Sequence, residues 1–504
     1  MSRQSFLKGA VTLVSAGMLV KVMGFVYQWM MIRLAGTEII GLFNMVSPLY
    51  SMALVVATAG IPTAVARLIP GRPDQGKALV QTAATILIVT SSFLCVTLLL
   101  SGPSLLRWLH KDVRVIPAFV FMMPNLLLVA VSSVIRAYFQ GHFDMRQTAA
   151  AQTLEQITRI SSGLLLVWLL APYGVVWTLL GMSSAVMFSE LAGFLYLWRR
   201  FRLHTETPGL IARPALPTLK QLYSFGTPLT LTRIVLTLTG VFEASLIPAR
   251  LYLAGMNPSQ AAAFYGELTG VAMMLLNIPS IFTYALSTSL MPSVSQAQSG
   301  GNREALAAHI QKALSVSLLI CVPIALTLFF YGEFAAMKLF GIQRAAQMLK
   351  YLSAASLFFW ISQVTSGILQ GLGLVVHSGV TALIGSGVRL AGIWYFGANP
   401  EFMLPGVCLS LNAGFVITCL LNLLLIRLRA GACFHPGSLL RTFASGIPSA
   451  LFLALFRERF PPSIPSAAAA AAVTCALFCG SLFLLREPWI RRGAAIFKTR
   501  RLRI

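Results

Sequence analysis

Acidic residues are scarce in this 504-residue sequence. Aspartate and glutamate together number 14, and charged residues make up 10% of the chain, against about 25% in an average soluble domain. HExxH, Gly-x-Ser-x-Gly, Walker A and CxxC motifs are absent, and the six histidines are scattered. Without such a constellation we expect no catalytic residues, no metal site, no cofactor and no enzymatic activity.

Cysteines are also few and lack a pattern. The seven lie in or beside apolar runs, and none has metal-ligand spacing with histidine. Cys475 and Cys479 are four residues apart and share one helix face. We interpret the cysteines as small packing residues rather than disulfides or zinc ligands.

Apolar residues are abundant, at 57% of the chain. About 20 such residues cross a membrane as a helix, and continuous rather than alternating runs exclude a β-barrel. The sequence therefore predicts an all-α polytopic membrane protein with about 14 transmembrane helices. The predicted spans are 8–33, 40–66, 78–101, 115–138, 152–171, 175–198, 222–247, 263–290, 311–332, 351–370, 373–396, 402–426, 437–456 and 465–485.

The formal net charge of +24 comes from basic residues at helix ends and in the C-terminal tail. This distribution indicates membrane topology and contact with anionic lipids, not nucleic-acid binding. Counting Lys and Arg on the two sides, with Arg159 assigned to the cytoplasmic side, places both termini in the cytoplasm. We expect a multi-pass protein of the cell membrane.

The two halves of the chain are related. A shift of 217 positions pairs Gly226 with Gly9, and Ile278-Pro279 with Ile61-Pro62. Because the first half has an even number of predicted helices, the second enters the membrane in the same direction, as in parallel repeats. The predicted divisions are a six-helix bundle over 1–198, a basic cytoplasmic linker over 199–220, a second six-helix bundle over 221–430, two additional helices over 431–486 and a basic cytoplasmic tail over 487–504.

Several ionisable residues fall inside the predicted spans, where each costs roughly 2.5–3.5 kcal/mol at bilayer depth. Two interpretations stay open for Lys21, Arg233, Glu243 and Glu267: substrate contacts in a cavity, or structural pairs between helices. Arg233 and Glu243 are about 15 Å apart along one helix, so they cannot pair but can face one cavity. For Glu190 and Arg389 the structural interpretation is favoured.

Other residues shape or line the predicted helices. Asn277 belongs to a series of polar residues that is too polar for a lipid-facing helix and indicates that the helix lines a cavity. Pro62 and Pro279 occupy matched places in the two halves and are candidate hinges. Gly266 and Gly270 form a small-xxx-small face that permits close helix packing.

Three stretches resemble the stage V sporulation protein B group of the multidrug/oligosaccharidyl-lipid/polysaccharide exporter superfamily, and more distantly the MurJ lipid II flippases. They are SRQSFLKGAVTLVSAGMLVKVMGFVYQWMMIRLAGTEIIGLFNMVSPLY, YGELTGVAMMLLNIP and ALSTSLMPSVSQAQSGGN. The resemblance covers most of the chain. It implies a V-shaped pair of bundles around a cationic cavity that holds the pyrophosphate of a polyprenyl-linked saccharide, with helices 13 and 14 forming a groove for the lipid tail.

The resemblance also assigns candidate substrate-binding residues. Lys21 stands where the family usually has arginine, Gln28 where a second basic residue is common in the sporulation group, and Arg33 agrees with the usual pattern. Gln28 follows Lys21 by seven residues, near the same helix face. Gln28 lacks the positive charge of the usual basic residue, and lysine at position 21 offers a point charge instead of a bidentate grip. These replacements therefore reduce both the positive charge and the bidentate grip available to a pyrophosphate.

The favoured hypothesis is a flippase that moves a lipid-linked oligosaccharide or a lipid II-like peptidoglycan precursor by alternating access, in cell-wall or spore cortex synthesis. Its expected partners are that lipid, anionic lipids and cell-wall synthases. An ion gradient or the membrane potential, at about 2.3 kcal/mol per charge per 100 mV, is a feasible energy source. The alternatives are a MATE-type drug or cation antiporter and a non-transporting scaffold for envelope or spore assembly.

Overall fold

The computed structural model describes residues 3–71, 75–205, 216–300, 303–431, 436–460 and 463–485, and within these ranges it contains helices and turns but no strand. Residues 206–215 of the predicted linker and the whole predicted tail lie outside the described residues. The helices are α1 Arg3–Thr58, α2 Ile61–Leu68, α3 Gly76–Leu109, α4 Val115–Met122, α5 Asn125–Gly141, α6 Met145–Leu170, α7 Val175–Thr205, α8 Leu216–Leu253, α9 Pro258–Gly266, α10 Met273–Asn277, α11 Ser280–Ser299, α12 Arg303–Phe340, α13 Gln343–Ser353, α14 Ser356–Gly371, α15 Val375–Phe396, α16 Met403–Ala430, α17 Pro436–Arg459 and α18 Ile464–Leu484.

These helices confirm the predicted all-α membrane architecture. In the described part of the chain, nine helices are long and apolar enough to cross a membrane, or up to twelve if each of three bent pairs is one span. The sequence count of fourteen is higher for two reasons. The run Gly17–Thr58 counts once although it is broken at Gly36 (φ 81°), and α17 is not among the apolar helices. Glycine tolerates this backbone angle because it has no Cβ.

The chain divides into two compact units, Met1–Gly270 and Val271–Ile504. In the first unit, α2, α3, α5 and α7 share an apolar core that includes Ile61, Leu87, Ile135 and Phe201, each fully buried. The helix α6 packs along α7 and α1, and α1 also packs against α8 and α9. The first unit thus surrounds α1 with helices on several sides.

The second unit has its own apolar core. Val294 of α11, Leu314 of α12, Ile368 of α14 and Ile426 of α16 meet in one buried cluster. A separate cluster joins α12 to α17 and α18 around Tyr331, Leu453 and Ala470. The helices α17 and α18 are therefore attached to this unit through α12.

The predicted boundary of the linker differs from the helix ends. The helix α7 continues to Thr205 and α8 begins at Leu216, so residues 199–205 and 216–220 are helical. Basic residues near a helix C-terminus favour such continuation, because they interact well with the helix dipole. Only residues 206–215 lie between the two helices.

Two glycines bring α1 and α9 into backbone contact. A Cβ added at Gly266 would overlap the carbonyl oxygen of Thr37, and one added at Gly41 would overlap that of Ala262. Gly270, one turn beyond Gly266, packs against the side chain of Ile40. The predicted small-residue face at Gly266 and Gly270 is therefore confirmed as a close helix crossing.

An ionic cluster in the loop between α3 and α4 joins this loop to α1. The Arg114 guanidinium donates to Asp112 (Nη2–Oδ2 2.6 Å) and to Glu38 of α1 (Nη1–Oε1 2.7 Å). The hydrogen bond to Asp112, together with that to Glu38, raises the pKa of Arg114 above its ordinary value. His110 lies buried beside this cluster, at 4% exposure, and its Nδ1 atom has no hydrogen-bond partner among the described residues.

His110 makes stability depend on pH. Burial lowers the pKa of His110 from 6.5 to about 4, although Asp112 opposes the shift. Between these values the unfolded chain binds more protons, so we expect the unfolding free energy to fall by roughly 3 kcal/mol as the pH drops from about 6.5 to 4. Unfolding in denaturing detergent at stepped pH measures this, and His110→Gln should remove that part of the pH dependence.

A matched control is His377→Gln, at an exposed histidine of α15. This variant should keep the wild-type pH dependence. An unchanged pH dependence in His110→Gln would show that other groups cause it.

Candidate functional site

Four charges of alternating sign lie inside the first unit. Arg136 of α5 pairs with Glu155 of α6 (Nη2–Oε1 2.6 Å), and Arg159 of α6 pairs with Glu190 of α7 (Nη2–Oε1 3.3 Å). The Arg159 Nε also donates to Ser189 at 3.2 Å. Because Glu155 and Arg159 are one helical turn apart, both pairs face the same side of α6. The charges balance, so the group as a whole is close to neutral.

A glycine makes room for one of these charges. A Cβ at Gly193 of α7 would overlap the Glu155 carboxylate, so the carboxylate lies directly against the α7 backbone. Gly193 is three residues after Glu190 and lies on the same face of α7. This packing lets α5, α6 and α7 carry buried charge without separating.

A cavity of about 230 Å³ opens beside the charges, between α1, α6 and α7. Its lining combines amide, phenol and guanidinium groups with apolar walls. The lining residues are Gly24, Tyr27, Gln28, Phe43, Gln156, Arg159, Met182 and Val186. Tyr50 lies within electrostatic range of Arg159 and Glu190, and its hydroxyl accepts a hydrogen bond from Asn125 Nδ2 at 2.8 Å. The centre of the first unit is therefore polar over several helix turns.

Of the predicted residues on α1, the structure places only Gln28 in this cavity. Lys21 lies two turns earlier and is exposed. Arg33 is also exposed, and its guanidinium lies 4.4 Å from the centre of the Trp29 ring, which is a cation–π distance. The three residues share one helix but face different surroundings.

Arg233 and Glu243 both lie on α8, and the structure does not pair them. Arg233 is exposed, whereas Glu243 is half-buried within electrostatic range of the Tyr265 hydroxyl. This agrees with the expectation that two residues ten positions apart on one helix cannot contact each other.

Glu267 begins a π-helical segment, Glu267–Ala272, and is 6% exposed. Within the same segment Thr269 accepts a hydrogen bond from Asn44 Nδ2 of α1 at 2.8 Å. A π-helical turn widens a helix locally and is frequent at functional sites. The segment thus places Glu267 in the interior of the first unit, and the π-helical turn itself has no signal in the sequence pattern.

Asn277 belongs to the second unit, at the end of α10. It is exposed, and its Nδ2 donates to the carbonyl oxygen of Met273 at 2.8 Å, so one donor is used within its own helix. The neighbouring polar residues form a network: Gln363 donates to Ser280 at 3.0 Å and accepts from Thr283 at 3.1 Å. The polar series of this helix therefore serves partly to join α11 to α14.

The two candidate hinges occupy equivalent places. Pro62 lies in the first turn of α2, directly after Ala59 and Gly60 leave the helix with φ values of 46° and 66°. Pro279 precedes the first residue of α11, where the helix axis turns by 58°. Each proline therefore begins a helix after a break, where its missing N–H costs no hydrogen bond.

Three residues of this site, Arg159, Glu155 and Gln156, are not among the candidates that the sequence pattern indicates. Arg159 was assigned to the cytoplasmic side, but it lies in the middle of α6, inside the candidate span Met145–Tyr173. A Lys and Arg count treats a basic residue near a span end as evidence of topology, so it does not distinguish Arg159 from loop residues. The available signal was the spacing: Glu155 and Arg159 are oppositely charged and four residues apart inside a predicted span.

Arg389 of α15 contacts its own helix and the neighbouring helix α16 in the second unit. Its Nη2 donates to Ser386 at 2.8 Å, its guanidinium lies 5.7 Å from the Phe415 ring centre, and its stem fills the space beside Gly414. Within the described residues, no group of three or more His, Cys, Asp or Glu could hold a metal ion.

Solved structures of membrane transporters share this fold. An inward-facing multidrug resistance MATE family transporter of the MOP superfamily matches with a TM-score of 0.60 at 17% identity, covering 86% of this chain and 95% of that chain. A MOP superfamily transporter from Pyrococcus furiosus matches with a TM-score of 0.58 at 16% identity, covering 85% and 95%. The protein is thus a multi-pass membrane protein with the MATE transporter fold.

The family follows from the sequence. The model of the polysaccharide biosynthesis protein family matches residues 6–298, more than half of the 504 residues, so the chain belongs to that family. The MatE model matches residues 268–394. Stage V sporulation protein B of Bacillus subtilis (strain 168) is 29% identical over 84% of this chain and 83% of its own length. The lipid II flippase MurJ of the same organism is 22% identical over 84% and 83%.

These matches confirm the resemblance recognised from the sequence motifs. The relatives named here are transporters, a flippase and a sporulation protein, and none of them is named as an enzyme. The chain is accordingly a multi-pass membrane protein of the polysaccharide biosynthesis family.

Proposed function

We propose that this protein translocates a polyprenyl-pyrophosphate-linked oligosaccharide or peptidoglycan precursor across the cell membrane by alternating access, with both termini in the cytoplasm. The observation that carries the proposal is the match to the polysaccharide biosynthesis family over residues 6–298, which contain the polar interior of the first unit. A cavity inside a membrane bundle gives a polar head group a path that lipid alone does not offer.

In this proposal basic residues attract the pyrophosphate. Lys21, Arg33 and Arg233 are all exposed on their helices, as a residue that contacts a mobile substrate must be. Glu243 and Glu267 balance that charge or couple transport to an ion gradient or the membrane potential. Asn277 contributes a polar contact. Pro62 and Pro279 form the matched bends of the moving helices.

Charge removal at the head-group site should lower transport. In proteoliposomes, Lys21→Ala and Arg233→Ala should each reduce the initial rate of lipid II translocation about tenfold or more, because a hydrogen bond to a charged group contributes about 1.5–3 kcal/mol. The rate is measured by accessibility of the lipid-linked sugar on the far leaflet. Lys77→Ala, at an exposed lysine near the start of α3, is the matched control and should translocate normally.

Full translocation by both variants at normal expression would contradict the assigned residues. No translocation by the wild-type protein of lipid II or of other polyprenyl-linked sugars would contradict the function itself.

A drug or cation antiporter is the second candidate, because the MatE model matches residues 268–394. Transport of a cationic dye by the same proteoliposomes, driven by a proton or sodium gradient, would favour it. We expect no dye transport, because Lys21 and Arg233 would repel a cation.

A further inference from the structure

Two glutamine side chains face the cavity in the first unit without internal partners. Gln28 and Gln156 both line the cavity, and within the described residues neither side chain makes a hydrogen bond to the protein. Gln156 is only 7% exposed. The amide atoms of both residues are not among the fully buried polar atoms that lack partners in the described part of the chain, so they are open to the cavity and to a molecule bound in it. A ligand that both donates and accepts hydrogen bonds would satisfy the two amides.

The charges around the cavity favour a neutral ligand. Arg159 is the cavity's cationic group, but it is already bound to Glu190 and Ser189. The neighbouring Glu155 is bound to Arg136. With both pairs closed, an anion would find little uncompensated positive charge here, and a cation little negative charge. Hydroxyl groups need no uncompensated charge, because an amide can both donate hydrogen bonds to them and accept hydrogen bonds from them.

The apolar walls and the volume of the cavity fit a single sugar ring. Phe43, Met182 and Val186 supply apolar surface to the same cavity, which suits a molecule that has C–H faces as well as hydroxyl edges. The volume of about 230 Å³ is below the roughly 300–1,000 Å³ of cavities that enclose a drug-sized ligand. It therefore accommodates a single sugar ring rather than a complete oligosaccharide head group.

We propose that the cavity between α1, α6 and α7 is a sugar subsite that binds one uncharged pyranose ring through Gln28 and Gln156. The role of this subsite in transport rests on the proposed function, because the ring would belong to the lipid-linked saccharide. Binding of a free sugar to the cavity does not depend on transport and is measured separately.

The direct test is saturation-transfer NMR on the reconstituted protein with N-acetylglucosamine and methyl glucoside as probes. We expect transfer to at least one of the two sugars in the wild-type protein. Gln156→Leu should weaken its binding about tenfold, since two lost hydrogen bonds of about 1 kcal/mol each have at least that effect. Gln152→Leu, the same substitution one turn earlier on α6 and outside the cavity lining, should bind like the wild type.

A second pair of variants, at Gly24, tests the cavity independently and controls for loss of binding through misfolding. A Cβ at Gly24 would lie 3.8 Å from Gln156 Nε2, which is an ordinary contact, so Gly24→Ala fits. Gly24→Leu extends further into the cavity and should abolish sugar binding, while Gly24→Ala should weaken it only slightly. Thermal unfolding of each variant shows that the fold is retained.

The outcomes separate the two proposals. Sugar binding that is lost in Gln156→Leu and Gly24→Leu supports the subsite even if the wild-type protein translocates no lipid-linked saccharide, in which case only the proposed function fails. Translocation with no sugar binding, or with binding equal in all variants, overturns the subsite and leaves the function standing. Displacement of the sugar by millimolar inorganic phosphate would also overturn it, because the cavity would then be an anion site.

Discussion

An Arg136→Ala variant should lose about 3–5 kcal/mol of unfolding free energy, the largest loss that we expect from a single side chain here. Glu155 would remain in the bundle at 11% side-chain exposure without its 2.6 Å partner. Removing one member of a buried pair has this cost because the other charge is left uncompensated. Unfolding in denaturing detergent measures the loss, and a strongly reduced yield of folded protein would accompany it.

The paired variant Arg136→Leu with Glu155→Leu should recover most of the loss, because apolar residues of similar size often replace a buried pair without penalty. Arg146→Ala, at an exposed arginine of α6, is the matched control and should change stability by less than about 0.5 kcal/mol. If Arg136→Ala were as stable as this control, the pair would be solvated rather than buried.

A Gly266→Val variant should lose about 3 kcal/mol or more, because its Cβ would overlap the backbone carbonyl of Thr37. Overpacking usually costs about 1–3 kcal/mol, and here the obstacle is backbone, which cannot rotate away as a side chain can. The crossing of α1 and α9 would have to open. Thermal unfolding in detergent and proteolysis of the variant measure the effect.

The control for this prediction is Gly387→Ala in α15, where an added Cβ meets nothing within 4 Å. This variant should be as stable as the wild type or up to about 1 kcal/mol more stable, since alanine is the better helix former. Equal stability of Gly266→Val and the wild type would show that α1 and α9 separate easily.

The predicted spans agree with the structure because the membrane leaves the backbone few choices. In lipid every N–H and C=O must bond within its own segment, so an apolar run of sufficient length is enough to predict a helix. The span 175–198 lies within α7, and the span 402–426 within α16 apart from its first residue. The break at Gly36 falls between the predicted spans 8–33 and 40–66. Irregularities inside a helix depend on subtler causes, so the π-helical segment at Glu267 was not predicted.

The candidate site was predicted only in part. Lys21, Arg233 and Glu243 were predicted because a charged residue within an apolar run can be recognised from the sequence alone. Gln28 was selected with them, and the structure adds that it faces a cavity together with Gln156. Gln156 carries no charge and sits in a helix with other polar residues, so nothing in its sequence context indicated that its amide lines a cavity.

By itself the sequence determined the class of fold and the family, because hydropathy and motifs are properties of the chain read in order. Only the tertiary structure decided which embedded charges pair. Arg136, Glu155, Arg159 and Glu190 come from three helices, and their partners follow from the rotation of each helix about its axis. Packing at Gly193 contributes to that rotation, and lateral packing of this kind leaves no periodic pattern in the sequence.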